Sequence, residues 1–380
     1  MKGKSSKPHI LLITRNLPPL IGGMEKLIHR IALGISQYSD LTIIGPKGCS
    51  QHLPNHIKTI EAPKNLAPFL FLSTSFAIRE LRAGRYDLLI GGSGITALTL
   101  YLLNRMFGHR TIIYLHGLDL VVDSTIYQKV FIPCIRTMNS IIVNSQNTKN
   151  LALSKMVNES KITIIHPGTD LPPLPDSSTL DAFKQKFQIE FEYTMIFVGR
   201  FTRRKGLSMF IENSLPNILA ALPSAGLIVI GRAPGDSLNQ QGEEQRVAQL
   251  ASNPLVRERI KFLGQVDDEE LAHCYALADV SIFPLVHVKG DVEGFGMVAV
   301  EAAALGTPTV AFDTGGVADA ISNANGMLIS PGNYPEFSAA VLQILTGQKP
   351  GTASCLEHAS QFAWDRVNDR FKEVVLESTT

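Results

Sequence analysis

Short apolar runs rich in β-branched residues recur along both halves of this 380-residue chain, and segments with helical periodicity separate them. Strands that alternate with helices are typical of parallel sheets flanked by helices, so each half is predicted to form its own open sheet. The predicted strands of the first half are residues 10–14, 41–45, 87–91, 111–116, 140–144 and 162–166. Those of the second half are residues 194–199, 227–231, 260–263, 280–283, 309–312 and 327–329.

A proline-rich segment, residues 167–178, separates the two series of strands. Because 380 residues exceed the usual size of one domain, we predict two α/β domains with their boundary in this segment. The domains cover residues 1–172 and 173–355. A tail at residues 356–380 follows, with a predicted helix around residues 362–376 that includes Trp364, the only tryptophan.

Charge is unevenly distributed along the chain. Residues 1–180 carry 19 Lys and Arg against 10 Asp and Glu, whereas the remainder carries 16 against 24. A basic first half suits an anionic membrane surface or a phosphorylated acceptor. Nucleic acid would also fit the charge alone, but no nucleic-acid-binding motif or interleaving of aromatic and basic residues supports it.

Two other features bear on location and metal binding. The four cysteines are widely scattered without a C-x-x-C pair, so neither a disulfide framework nor a zinc site is predicted. No apolar run reaches the ~18 residues of a spanning helix, and the N-terminus lacks the pattern of a signal peptide. We therefore expect a cytoplasmic protein.

The segment from Asp291 to Gly316 carries the clearest chemical signal. Glu293 precedes a Gly-Phe-Gly turn, and Glu301 interrupts a predicted helix at residues 297–305 that reads as buried nearly all round. An ionised carboxylate in such a helix needs a polar partner. Glycines before the helix let backbone amides open toward a ligand, as at phosphate-binding helix N-termini. Either glutamate alone is more simply explained as a structural or loop residue.

The loops that follow predicted strands contain further candidates, because ligands of open α/β sheets collect at the carboxyl ends of the strands. Gly22 and Gly23 precede a helix and would let the backbone approach a diphosphate, although a structural turn explains them equally well. His116 ends the fourth strand and could contact a sugar hydroxyl, although a lone histidine there is more often a core residue.

Arg200 and Lys205 lie five positions apart across a turn and can place two positive charges on one phosphate group. Their neighbours Arg203 and Arg204 are interpreted as solvated. Because these cations could neutralise a departing diphosphate by themselves, and no D-x-D pair ends a strand, we predict no metal site.

These motifs together resemble the retaining glycosyltransferases of family 4, the glycosyl transferases group 1, which have the GT-B fold of two Rossmann-like domains facing each other across a cleft. The E-x7-E spacing of Glu293 and Glu301 matches that family, as does the order of the other motifs along nearly the whole chain. Those motifs are Gly22-Gly23, His116-Gly117, His166-Pro167-Gly168, Gly199-Arg200, Lys205-Gly206, Phe262-Leu263-Gly264, residues 275–279 and Gly315-Gly316. The tail resembles the family's last helix, which crosses back onto the first domain. Asp319 stands where the family often has glutamate.

The resemblance implies a role for each matching residue. Arg200 and Lys205 would hold the diphosphate of a nucleoside-diphosphate sugar, and Gly22 and Gly23 would approach it from the other domain. Glu301 would bind the ribose and Glu293 the donor sugar, while His116 would lie near the anomeric carbon. Backbone near Val266 would contact the base. Amides of Gly294, Phe295, Gly296 and Met297 would lie near the sugar.

The resemblance further implies transfer of a hexose to a hydroxyl with retention of configuration, with no cofactor and no metal. UDP-hexose and GDP-mannose remain equally plausible donors. A glycan or lipid-linked acceptor of cell-surface polysaccharide or lipopolysaccharide biosynthesis fits a basic first half that contacts the inner face of the membrane. The arginines that would make this contact are Arg79, Arg82, Arg85, Arg105 and Arg110. Solvated helix faces explain these arginines equally well. The alternatives are a nucleotide-sugar epimerase of the same fold and a non-catalytic nucleotide-sugar-binding subunit.

Overall fold

The computed structural model describes residues 7–232, 242–348 and 350–379. They form two compact α/β units. The first unit runs to Gly168 and also includes the chain from Trp364 onward, and the second unit is Thr169–Ala363. The chain thus passes between units at 168/169 and 363/364, where the sequence prediction set boundaries at 172/173 and 355/356.

The first unit is built on a seven-stranded parallel sheet with strand order β3-β2-β1-β4-β5-β6-β7. Its strands are β1 His9–Ile13, β2 Asp40–Pro46, β3 Lys58–Ala62, β4 Leu88–Gly91, β5 Arg110–Leu115, β6 Ser140–Val143 and β7 Ile162–Ile164. Its helices are α1 Gly23–Tyr38, α2 Leu66–Ala83, α3 Ala97–Phe107, α4 Leu118–Val121, α5 Ile132–Thr137 and α6 Gln146–Ser154. Six of the strands confirm the prediction. Only β3 was missed.

The second unit is built on a six-stranded parallel sheet with strand order β10-β9-β8-β11-β12-β13. Its strands are β8 Tyr193–Val198, β9 Ala225–Ile230, β10 Ile260–Gly264, β11 Val280–Phe283, β12 Thr309–Phe312 and β13 Gly326–Ile329. Its helices are α7 Ser177–Phe187, α8 Leu207–Asn213, α9 Leu215–Ala221, α10 Glu243–Ala251, α11 Asp268–Leu277, α12 Met297–Ala303, α13 Tyr334–Leu345 and α14 Thr352–Ser360. All six predicted strands are present.

The last helix, α15 Trp364–Thr379, packs on the first unit against α1. Trp364, Val367, Phe371 and Val375 belong to the buried apolar cluster on one face of the first sheet. Burying an apolar side chain of this size stabilises a fold by roughly 1.5–3 kcal/mol, so α15 is an integral part of the first unit. Gly168 lies against the Trp364 ring, where a Cβ would overlap it.

Buried apolar side chains cover both faces of each sheet. This explains why the strands read as nearly continuous apolar runs, which is the pattern of parallel strands buried on both faces. Polar residues begin several helices: Asp176, Ser145, Asp267 and Asn333 each accept a hydrogen bond from an amide of the first turn that follows.

Candidate active site

Two segments of the second unit meet at one edge of its sheet, because they follow the neighbouring parallel strands β8 and β11. One is the turn at residues 199–206, and the other is the segment at residues 284–294. The amide of Val286 donates to the Arg204 carbonyl at 2.8 Å. Gly206 has φ of 71° and lies against the Pro284 carbonyl, where a Cβ would overlap the oxygen. The approach of the two segments therefore requires glycine at position 206.

Four charged side chains form a cluster between these segments, which we call the charge cluster: Arg204, Lys205, Asp291 and Glu293. Lys205 Nζ donates to Glu293 Oε2 at 2.8 Å, and Arg204 Nη1 donates to the same oxygen. Arg204 Nε donates to Asp291 Oδ1 at 3.0 Å. The four side chains are only 10–14% exposed. Two cations thus neutralise two carboxylates where water has little access.

The surroundings of Glu293 keep it ionised. Burial by itself would raise the pKa of this carboxyl, but the charges of Arg204 and Lys205 and their hydrogen bonds outweigh it and lower the pKa to about 2. For Lys205 the balance is reversed: burial lowers its pKa, and the attraction of Glu293 only partly opposes that. Burial would also lower the pKa of Arg204, but Glu293 and Asp291 raise it.

The turn after β8 divides its cations between the interior and the solvent. Lys205 is buried, with Nζ 4.6 Å from the centre of the Phe283 ring, whereas Arg200 and Arg203 are exposed. The interpretation of Arg204 as solvated was wrong, because this side chain enters the charge cluster. No local signal in the sequence separates it from Arg203, because the approach of Asp291 and Glu293 to this turn depends on the pairing of β8 with β11.

The main chain of Glu293 is fixed by the turn after β12. The Gly316 amide donates to the Glu293 carbonyl at 2.8 Å. Gly315 has φ of 68°, and a Cβ there would come within 2.5 Å of the same carbonyl. Both glycines of the predicted Gly315-Gly316 motif therefore hold the segment that carries Glu293.

Glu301 lies on a half-buried face of α12 together with Met297 and Val298. The prediction of a helix buried all round was wrong, because residues three and four positions before Glu301 share its partly open face. The helix ends at Ala303. The hydroxyl of buried Tyr275 donates to Glu301 Oε2 at 3.5 Å, which supplies the expected polar partner. Burial and the charge of Glu301 raise the pKa of Tyr275, so the phenol stays protonated.

The remaining predicted residues of this unit surround the same helix and the loop after β10. Phe295 is buried and packs 5.5 Å from Phe362, so only its main chain is available to a ligand. Gly296 has φ of 101° and precedes the first residue of α12. Gly294 and Met297 are half-buried, as is Val266 beside its apolar cluster.

In the first unit, His116 follows β5 and is 5% exposed. Its Nε2 bonds to the Gly92 carbonyl at 2.8 Å, and its ring lies 4.8 Å from that of Tyr114. The Asp119 carboxylate accepts from the amides of His116 and Gly94, which joins the loops after β4 and β5. His116 is thus held rigidly by its neighbours.

Gly22 and Gly23 lie at the beginning of α1, where the Glu25 carboxylate rests against Gly22. Glu25 Oε1 also accepts from Asn16 Nδ2 at 3.0 Å. A carboxylate in the first turn interacts favourably with the helix dipole. A diphosphate approaching these glycines must therefore compete with Glu25.

The part of the chain that the structure describes lacks two features. Residues 7–232, 242–348 and 350–379 contain no group of three or more His, Cys, Asp or Glu side chains placed to hold a metal ion. Among the same residues, no helix is long and apolar enough to cross a bilayer.

Two family models match the chain, one in each half. "Glycosyltransferase Family 4" matches residues 21–172, and "Glycosyl transferases group 1" matches residues 180–361. A D-inositol 3-phosphate glycosyltransferase of Mycolicibacterium smegmatis is 30% identical over 234 residues. That alignment covers 60% of this chain and 50% of the relative, so the chain spans about half the length of the relatives it matches.

Solved structures share the architecture. The structure of Anabaena HepE in complex with UDP-glucose has a TM-score of 0.79 at 21% identity, covering 97% of this chain and 99% of that one. A glycosyltransferase from Rickettsia africae has a TM-score of 0.80 at 19% identity, covering 98% of both chains. At this identity the likeness establishes the fold. The chain belongs to the glycosyl transferases group 1, glycosyltransferase family 4, and has the two-domain GT-B fold.

Proposed function

We propose that this protein is a retaining, metal-independent glycosyltransferase that moves a hexose from a nucleoside-diphosphate sugar to an acceptor hydroxyl. The charge cluster is the observation that carries the proposal. It places a buried, ionised carboxylate and two buried cations at the carboxyl edge of the second sheet, with Glu301 eight positions after Glu293. Desolvated charges are costly to maintain, so a fold that retains them here is equipped for a charged ligand.

Each cluster residue has a proposed task. Lys205 turns from Glu293 to the donor diphosphate, where exposed Arg200 adds a second positive charge. Glu293 accepts hydrogen bonds from the donor sugar, and Glu301 accepts them from the ribose. Because Lys205 is already buried, its charge acts on the phosphate with little screening by water.

In the proposed reaction the bond between the anomeric carbon and the diphosphate oxygen breaks as the acceptor oxygen attacks the same face of the sugar. The acceptor proton passes to the departing phosphate oxygen. The positive charges of Arg200 and Lys205 stabilise the negative charge that develops there. No protein nucleophile is needed, and the two cations stabilise the departing phosphate as a metal ion would.

The test is release of nucleotide from UDP-, GDP- and ADP-hexoses with EDTA present. The parent is compared with Lys205→Met and Glu293→Gln. The matched controls are Lys186→Met and Glu270→Gln, since Lys186 and Glu270 form an ion pair of 2.7 Å at the surface, with side chains 62% and 26% exposed.

We expect slow release from one donor that survives EDTA. It should fall by about 100-fold in Lys205→Met, because groups that stabilise a developing oxyanion contribute about that much. It should also fall in Glu293→Gln, because the donor sugar loses a charged acceptor. The controls should match the parent. Release abolished by EDTA would refute metal independence. Nucleotide binding with no release or transfer would favour a binding subunit, and conversion of the donor sugar to its epimer would favour an epimerase.

For the acceptor, we propose a glycan or lipid-linked hydroxyl compound of cell-surface polysaccharide or lipopolysaccharide synthesis, used in the cytoplasm at the inner face of the membrane. The surface of α2 and α3 supports this. Phe71, Leu102 and Met106 are exposed on these adjacent helices, which share a Thr74–Thr99 hydrogen bond of 2.9 Å. Exposed apolar side chains among basic ones are typical of surfaces that lie on anionic lipid.

The charges of this surface are all positive. Arg79, Arg82 and Arg105 are exposed on the two helices, and Arg85 and Arg110 lie just beyond their ends. Within the described ranges, Arg82, Arg85, Arg105 and Arg110 form no ion pair. Glu80, the only carboxylate in α2 and α3, is buried and bonded to Lys58 and Tyr86.

Vesicle sedimentation tests the membrane proposal. Binding to vesicles that contain phosphatidylglycerol should exceed binding to phosphatidylcholine vesicles and should weaken with salt. Phe71→Ser and a combined Arg79→Gln, Arg82→Gln variant should each reduce it. Leu255→Ser is the matched control, since Leu255 is 72% exposed in the second unit against 74% for Phe71. Equal binding to both vesicle types, or loss in the control alone, would refute the proposal.

The acceptor itself is found by transfer assays once the donor is known. Lipid-linked saccharides are compared with phosphorylated polyols such as inositol 3-phosphate, which the name of the Mycolicibacterium smegmatis relative suggests. Transfer to the polyol phosphate alone would replace the lipid-linked acceptor in the proposal.

A further inference from the structure

Arg204 links the two segments that form the charge cluster. Its carbonyl accepts from the Val286 amide, and its guanidinium donates to Asp291 and Glu293, both of which come after β11. The residue is only 9% exposed although it lies next to exposed Arg203. Arg204 therefore joins the turn after β8 to the segment that carries Glu293.

The two cations of the cluster hold Glu293 in different ways. Lys205 donates to a single oxygen of Glu293 through a flexible chain that can rotate. Arg204 is a planar fork held at a second point by Asp291. A guanidinium anchored at two carboxylates has little freedom to leave either one.

In the proposed function, donor binding affects the two cations differently. If Lys205 turns to the diphosphate, as the proposed function requires, Glu293 loses one of its two cations while its backbone stays fixed by Gly316. A buried carboxylate without a cation would be strongly disfavoured. Among the residues that the structure describes, Arg204 is the other side chain that donates to Glu293.

We propose that Arg204 is a positioning residue that alone holds the Glu293 carboxylate toward the donor sugar once Lys205 has moved to the diphosphate. The inference rests on the proposed function. Arg204 acts through Glu293 and does not itself contact the donor. Its loss should therefore affect recognition of the sugar and leave recognition of the nucleotide largely unchanged.

Calorimetric titration with the nucleoside diphosphate and with the intact sugar nucleotide tests this. We expect Arg204→Gln to lower the affinity for the sugar nucleotide about tenfold more than the affinity for the nucleotide alone. This is the effect of losing one hydrogen bond to a charged group. Arg204→Lys, which keeps the charge and loses the fork, should lie between parent and Arg204→Gln. Arg203→Gln is the matched control from the same turn and should bind both ligands as the parent does.

Asp291→Asn provides a second test that does not depend on the folding of Arg204→Gln. It removes the other anchor of the fork and should reduce sugar selectivity in the same direction. The inference would be overturned if both variants kept the parent's ratio of affinity for the sugar nucleotide to affinity for the nucleotide alone. If Arg204→Gln does not fold, an unchanged ratio in Asp291→Asn would be enough to overturn it. Equal weakening of both ligands would overturn it too. If the parent binds no sugar nucleotide, the proposed function fails first and the inference with it.

Discussion

Replacing Glu293 by glutamine should destabilise the second unit much more than replacing an exposed glutamate in the same unit. The pKa of the Glu293 carboxyl is about 2 in the folded protein against an ordinary value of 4.5. A difference of this size corresponds to about 3 kcal/mol of stability at neutral pH. Removal of one partner from a buried ion pair costs a similar amount, about 3–5 kcal/mol.

The pH dependence of this loss has a definite sign. A carboxyl with a lowered pKa stabilises the fold above its unfolded value of 4.5 and loses that contribution as pH falls toward 2. The difference in free energy of unfolding between the parent and Glu293→Gln should therefore be constant from neutral pH to about pH 4.5 and should become smaller below that pH. At alkaline pH the difference should also shrink, because burial lowers the pKa of Lys205, which can then become neutral in the variant.

Urea unfolding between pH 3 and pH 9 measures both effects. The control is Glu270→Gln, which breaks the exposed pair with Lys186 and should cost about 0–1 kcal/mol. Both positions lie in the second unit, so the same unfolding transition reports on them. The reasoning from buried charge would be refuted if both variants lost a similar, small amount of unfolding free energy. It would also be refuted if the loss in Glu293→Gln did not change with pH.

Three further substitutions have definite expected outcomes. Gly206→Ala should cost about 2 kcal/mol or more in urea unfolding, because φ is 71° and the Cβ meets the Pro284 carbonyl. Phe371→Ala should cost about 3–5 kcal/mol in the transition of the first unit, because the buried ring packs 6.0 Å from Tyr114. A loss confined to the second unit would contradict the packing of α15. Glu301→Gln should lower the affinity for the nucleoside diphosphate about tenfold, as measured by calorimetry, since the ribose loses a charged acceptor. Unchanged affinity would exclude Glu301 from the nucleotide site.

The charge cluster also suggests how the protein behaves without donor. Lys205 and Glu293 satisfy each other in the structure, so neither charge is left uncompensated. Under the proposed function, donor binding replaces that pair with contacts to phosphate and sugar, and only the difference between the two sets of contacts appears as affinity. In that proposal Arg204 lowers the cost of the exchange, because it keeps Glu293 paired throughout.

The sequence could not predict every element or every member of the site. Strand β3 reads Lys-Thr-Ile-Glu-Ala, and as an edge strand it mixes exposed, half-buried and buried positions, so no continuous apolar run marks it. The sequence indicates that Glu301 needs a polar partner, and in the structure the Tyr275 hydroxyl is one, whereas the ribose implied by the family resemblance stays a proposal. The half-buried state of Glu301 depends on what covers α12. Tyr275, which donates to Glu301, comes from α11 and carried no sign of that role.

What the sequence by itself determined is local or periodic: twelve of the thirteen strands, the segment where the first unit gives way to the second, and the paired glutamates with their glycines. Apolar runs and glycine turns encode these features directly, because they reflect burial and backbone freedom within a few residues. The tertiary structure alone decided that Arg204 turns inward while Arg203 faces solvent, and that the Asp291 and Glu293 carboxylates both accept hydrogen bonds from Arg204. Contacts between residues almost 90 positions apart exist only because β8 and β11 lie side by side, and strand order is not written in any local pattern.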